Sequence, residues 1–95
     1  MSIKERHETV CRELTDICVR KNHDYGDSFG ETFRELGIIS AVTRISDKVS
    51  RLKSLCAKPD AARKVADESI RDTLLDTANY CILTLMELAN EKTRH

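Results

Sequence analysis

No tryptophan, one proline and three glycines leave a chain of 95 residues with few places where a helix must break. Aromatic residues are scarce too, two tyrosines and two phenylalanines, so the core must be mostly aliphatic. Neither sign of charge prevails, with 16 basic and 16 acidic side chains, and a general phosphate-backbone binder needs a basic face. Nucleic acid is therefore not an expected partner. No apolar run approaches the roughly 18 residues that span a bilayer, and the opening MSIKERHETV has no apolar signal core. A cytoplasmic protein without a membrane partner is expected. The cysteines Cys11, Cys18, Cys56 and Cys81 form no C-x-x-C pair and no zinc-finger spacing, which suits reduced thiols acting as small core hydrophobes.

What is present is helical periodicity. Apolar residues recur at three and four rather than at two, and this predicts an all-α fold of a single domain over residues 1–95. A first helix over residues 3–21 carries Ile3, His7, Val10, Leu14 and Ile17, with His7 as a core histidine. Residues 22–30 hold two glycines with Asn and Asp and read as a turn, after which Ser28 and Glu31 form a capping box. A second helix over 31–57 follows, bent near Gly37, with Ile38, Val42, Ile45, Val49, Leu52 and Cys56 as its stripe. Lys58-Pro59-Asp60 breaks it, residues 61–66 are loop or one turn, and a third helix over 67–92 buries Ile70, Leu74, Ala78, Cys81, Leu85 and Leu88. A chain this short buries only about 60 to 65% of its unfolded surface, so a bundle completed by oligomerisation, as a dimer or tetramer, is expected. Leu83 and Met86, off the main stripe, are the residues such association would cover.

Two helical flanks are not explained by a core. Arg44, Asp47, Lys48 and Arg51 share one side of the second helix, about 130° from the apolar stripe. A solvated face with an Asp47–Arg51 ion pair accounts for these residues taken alone. On the third helix Glu68, Asp72 and Asp76 stack at intervals of four, and their flank continues into Asn79, Tyr80, Leu83 and Met86. Like charges at that spacing oppose one another, so a pocket or an interface with a polar floor is expected there. Asp47, Glu68 and Asp72 would hold magnesium, or manganese in its place, while Arg44, Lys48 and Arg51 meet phosphates. The alternative is an interface network of ion pairs. Tyr25 and Phe29 in the turn either stack on a nucleobase or pin the turn.

Three ordered motifs then resemble one family. Asn22-His23-Asp24-Tyr25-Gly26-Asp27-Ser28-Phe29, Arg44 to Leu52 and Asp67 to Tyr80 look like the small, phage-associated nucleotide modification associated domain family, over about Lys21 to Leu88. The resemblance implies a role in nucleotide metabolism and adds Lys21, Asp24, Tyr25, Asp76, Asn79 and Tyr80 to the candidate nucleotide-binding residues. More distantly, the pattern is similar to the all-α nucleoside triphosphate pyrophosphohydrolases of the MazG and dimeric dUTPase type. Those hold magnesium with an E-x-x-E and an E-x-x-D motif and form four-helix cores by dimerisation. The first motif would fall on Arg44 and Asp47, where only Asp47 is a carboxylate, and the second on Glu68 and Asp72, spaced by four rather than three. Both departures bear on the number of metals and on catalytic competence.

The expected function is magnesium-dependent hydrolysis of a (deoxy)nucleoside triphosphate to the monophosphate and pyrophosphate, with Asp47, Glu68 and Asp72 as catalytic metal ligands. A non-catalytic nucleotide- or partner-binding module of a base-modification system is the alternative, and a structural helical oligomer is a second.

Overall fold

A computed structural model describes residues 1–59 and 63–94, apart from the side chains of residues 25, 63, 64 and 92–94. The described residues form four helices, α1 (Ile3–Tyr25), α2 (Ser28–Leu36), α3 (Ile38–Cys56) and α4 (Arg63–Arg94), and no strand.

Local chemistry sets the helix boundaries. Ser2 opens α1 with a capping box: its hydroxyl accepts from the Glu5 N–H at 3.1 Å, and its own N–H donates to Glu5 Oε1 at 3.2 Å. The helix runs four residues past the expected end at Lys21, because residues 22–25 keep helical geometry until Gly26, at φ +70°. The expected turn thus shrinks to Gly26 and Asp27. The predicted box between Ser28 and Glu31 is not formed. Ser28 is already helical, Asp27 precedes α2 without a side-chain cap, and the Asp27 carboxylate is engaged by Arg34 at 3.0 Å.

Gly37 does more than bend the next segment. At φ +82° it ends α2 and starts α3, so the single helix expected over 31–57 is two. Of the expected loop at 61–66, residues 61 and 62 lie outside the described residues, while α4 already starts at Arg63 and continues to Arg94.

Helices α3 and α4 run antiparallel, since Arg44 meets Tyr80 and Lys48 meets Asp76. The main core forms where α2 folds back on them. Phe33, 1% exposed, packs with Phe29 and Ala41 and is closed by Tyr80, Leu83 and Leu88. Helix α1 rests on α4 through buried Leu14 and Leu75, through an Asn79 Nδ2 bond to the Leu14 carbonyl at 3.1 Å, and through Arg71 on Glu13 at 2.7 and 2.8 Å. Residues 1–12 are all exposed, so only the second half of α1 is docked.

Helix α4 is turned relative to the expected stripe. Leu74 is 52% and Leu85 67% exposed, and Cys81 is exposed, whereas Thr73, Asn79, Thr84 and Glu87 are buried. The Tyr80 and Leu83 flank won the contact with α2 and α3, its one ring stacking on Phe29 while Leu83 and Leu88 close the cluster around Phe33. The buried threonines are satisfied locally, Thr73 donating to Ser69 O at 2.7 Å and Thr84 to Tyr80 O at 2.6 Å. The cysteines are free thiols, but they are not core residues. Cys11, Cys56 and Cys81 are exposed and Cys18 is half-buried. His7 is exposed as well, with Nδ1 3.5 Å from Cys11 Sγ, and is not a core histidine.

Candidate functional site

All four helices meet around one cavity of about 390 Å³, within the roughly 300 to 1,000 Å³ typical of small-molecule sites. Helix α1 contributes Cys18, Lys21 and Asn22. The corner and the start of α2 contribute Gly26, Asp27, Ser28 and Phe29, α3 contributes Arg44, and α4 contributes Asp76, Asn79, Tyr80 and Leu83.

One wall is aromatic. The Phe29 and Tyr80 rings stack with centroids 5.9 Å apart and planes inclined by 22°, and the Arg44 guanidinium carbon lies 5.6 Å from the first and 5.9 Å from the second. Such a cation over two ring faces is held by their quadrupoles, which orients its remaining N–H groups.

The second feature is a charge cluster. Lys21 of α1 donates to Asp76 Oδ1 at 2.8 Å, and Lys48 of α3 stands 3.5 Å from Asp76 Oδ2. One carboxylate thus gathers two ammonium groups from different helices. With Arg44 the cluster carries three positive charges against one negative, a surplus of two on the cavity's rim. Asp27, the other acid of the lining, is engaged by Arg34, which it shares with Glu87.

A clasp outside the cavity fixes the corner that carries Phe29. Arg34 bridges Asp27 at 3.0 Å and the nearly buried Glu87 at 3.3 Å, and these carboxylates hold its guanidinium more firmly protonated than usual, the Asp27 hydrogen bond contributing most. Both carboxylates converge on Gly30, where a Cβ would sit 2.5 Å from Asp27 Oδ1 and 2.6 Å from Glu87 Oε1. Any side chain at residue 30 would have to displace these carboxylates.

Of the candidates read from sequence, Lys21, Arg44, Asp76, Asn79 and Tyr80 line the cavity and Lys48 reaches it through Asp76. Asn79 acts on the site indirectly, by tying α1 to α4. Asp24, Asp47, Arg51, Glu68 and Asp72 are exposed and outside the lining, and the Tyr25 side chain lies outside the described residues.

The expected magnesium ligands are not gathered in one chain. Lys48 faces Asp76 and Arg44 faces Tyr80, a register that sets Asp47 level with residue 77, about 7.5 Å along the axis from Asp72 and about 13.5 Å from Glu68. Among the described residues no group of three or more His, Cys, Asp or Glu side chains is placed to hold a metal ion. No helix among the described residues is long and apolar enough to cross a membrane.

The sequence did not mark Cys18, Asn22, Gly26, Asp27 or Ser28 as site residues, although it set Leu83 on the flank expected to form a pocket or interface. The dense 22–29 segment was the available signal, and what it lacked was the register that brings Phe29 onto Tyr80.

No curated protein and no solved structure matches the chain. Residues 21–88, which include every lining residue but Cys18, match a family model, and the chain belongs to the nucleotide modification associated domain 1 family.

Proposed function

We propose that the chain is a nucleotide-binding protein of a nucleotide-modification system, and that the cavity takes a nucleoside monophosphate. The observation that carries this reading is the convergence, around one cavity, of a stacked aromatic pair and three cations from two helices. The base lies against the Tyr80 and Phe29 wall, where any base offers a π-face. The phosphate meets Lys21, Lys48 and Arg44, whose surplus of two charges over Asp76 matches a phosphate dianion.

Hydrolysis of a triphosphate to the monophosphate and pyrophosphate requires carboxylates that can share a metal. Asp47, Glu68 and Asp72 lie at different levels of one chain, and no three such side chains gather among the described residues, so the geometry lends a three-carboxylate magnesium site no support. The geometry therefore favours binding over the hydrolytic reading.

Calorimetry with ribo- and deoxyribonucleoside mono- and triphosphates, with magnesium or with EDTA, tests both. The binding reading expects saturable monophosphate binding that is indifferent to EDTA and lost on Lys48→Ala. Pyrophosphate release that depends on magnesium and vanishes in Asp72→Asn would overturn it in favour of hydrolysis.

A further inference from the structure

The tie between α1 and α4 uses only half of the Asn79 amide. Nδ2 donates to the Leu14 carbonyl at 3.1 Å, and this fixes the orientation of the group, because a flipped amide would set its oxygen against a carbonyl oxygen. Oδ1 accepts from no group among the described residues. Asn79 is only 8% exposed, yet no side-chain nitrogen or oxygen among the described residues is both buried and without a partner. Oδ1 therefore keeps an opening, and the open space that Asn79 lines is the cavity. An acceptor held in one direction at such a place is satisfied only by water or by a donor on a ligand.

The other uncharged polar side chains of the lining impose no direction. The hydroxyls of Ser28 and Tyr80 can turn to donate or to accept, and the exposed Asn22 amide carries both kinds of atom. Asp27 and Asp76 are acceptors already engaged by cations. Position on α4 sets which part of a nucleotide Asn79 meets. Tyr80, the next residue, offers the ring face on which a base lies, and Asn79 is turned from it by about 100° and displaced by about 1.5 Å along the axis. Where one side chain holds the face of a base, its neighbour at that angle approaches from the edge. Asp76, which gathers Lys21 and Lys48, lies about 4.5 Å from Asn79 along the axis, toward the phosphate end.

We propose that Asn79 Oδ1 reads the base edge of the bound monophosphate and selects bases with an exocyclic amino group, cytosine and adenine, over their oxo counterparts, an inference that rests on the nucleotide-binding reading of the cavity. The amino group projects from the ring edge and offers N–H donors. At the same position uracil and hypoxanthine carry a carbonyl oxygen, which would face Oδ1 as a second acceptor and leave both oxygens without a donor. Their ring N–H stands beside that carbonyl, so reaching it still brings the two oxygens together.

Calorimetry of the wild-type chain with cytidine against uridine monophosphate, adenosine against inosine monophosphate, and 2′-deoxycytidine monophosphate reads this without a variant. In each pair that binds, the amino member should bind about tenfold or more tightly, since a site built around a hydrogen bond rejects the analogue that cannot make it. Asn79→Leu should bring the ratios to within about twofold, whereas a residue that acted only by tying α1 to α4 would weaken both members of a pair alike and leave their ratio unchanged. Equal affinities within a pair that binds, tighter binding of the oxo member, or ratios that survive in folded Asn79→Leu would each overturn the inference and leave the nucleotide-binding reading standing. Equal affinities within the pairs with a loss of binding for the deoxyribonucleotide would overturn it by placing Oδ1 on the sugar. Absence of binding by every ligand would overturn the nucleotide-binding reading and this inference with it. Should Asn79→Leu lose helicity, the wild-type ratios decide.

Discussion

The two sides of the α3–α4 pair were built by different rules. Toward the cavity stand charged and aromatic residues, each with a partner: Arg44 on two rings, Lys48 and Lys21 on Asp76, and Asn79 on a carbonyl of α1. Away from it stand Val42, Val49, Leu74 and Leu85, apolar and at least two-fifths exposed. A polar flank turned inward at the expense of an aliphatic stripe is unusual for a lone domain, where burial of the stripe dominates. The contrast teaches that the rotation of α4 within one chain follows its aromatic and polar flank rather than its aliphatic stripe.

The strongest way to break the comparison is to empty the inner side. Phe33→Ala should cost about 3 to 5 kcal/mol, because Phe33 is the one fully buried large side chain among the described residues. On the outer side, Leu74→Ala should cost under about 1 kcal/mol, since Leu74 is half exposed. Chemical denaturation of both variants at low concentration measures the difference, and equal losses would erase the distinction between the sides.

Next in size is Gly30→Val. Its branched side chain must push the Asp27 and Glu87 carboxylates off Arg34, at a cost of about 1 to 3 kcal/mol. Thermal melting reads that loss, and the weaker hold on Phe29 should appear as poorer nucleotide binding.

A smaller effect sharpens the charge account. Asp76→Asn removes the one negative charge between Lys21 and Lys48, so it should slightly lower the melting temperature yet tighten monophosphate binding several-fold. Weaker binding would mean that Asp76 contacts the ligand directly.

The smallest effect is a pH dependence. Glu13 is held below its ordinary 4.5 by hydrogen bonds from Arg71, with the Arg71 charge adding to them against partial desolvation. A lowered folded value means the contribution is present above the unfolded value and is lost as pH falls through the folded one. The docking of α1 should therefore be constant from neutrality to about pH 5 and loosen below 4.5, and Glu13→Gln should flatten that limb in a melting-temperature profile.

The all-helical fold was legible because periods of three and four need no tertiary knowledge. The cavity residues Arg44, Asp76, Asn79 and Tyr80 were legible as well, because they lie on flanks that the core does not explain, whereas Lys21 was legible only through the family resemblance. What failed was rotation and register. Helix α4 carries apolar residues on more than one side, so periodicity alone could not choose between the Leu74 and Leu85 side and the Tyr80 and Leu83 side. The carboxylates Asp47, Glu68 and Asp72 share a flank type but not a level, and the antiparallel register that separates them is set by contacts far apart in sequence. Gly37 could be read as a bend, yet only its positive φ makes it a boundary.

The central claim is that the aromatic and cationic cavity is a nucleoside monophosphate site. A titration of isotope-labelled chain with deoxyribo- and ribonucleoside monophosphates, in EDTA and at low salt, tests it most directly by nuclear magnetic resonance. Saturable shifts centred on Phe29, Tyr80 and the backbone of Lys21 and Asn22 are expected, weakened by added salt and abolished by Lys48→Ala together with Arg44→Ala. Absence of saturable shifts at millimolar ligand, or shifts centred on Asp47, Glu68 and Asp72 instead, would contradict it.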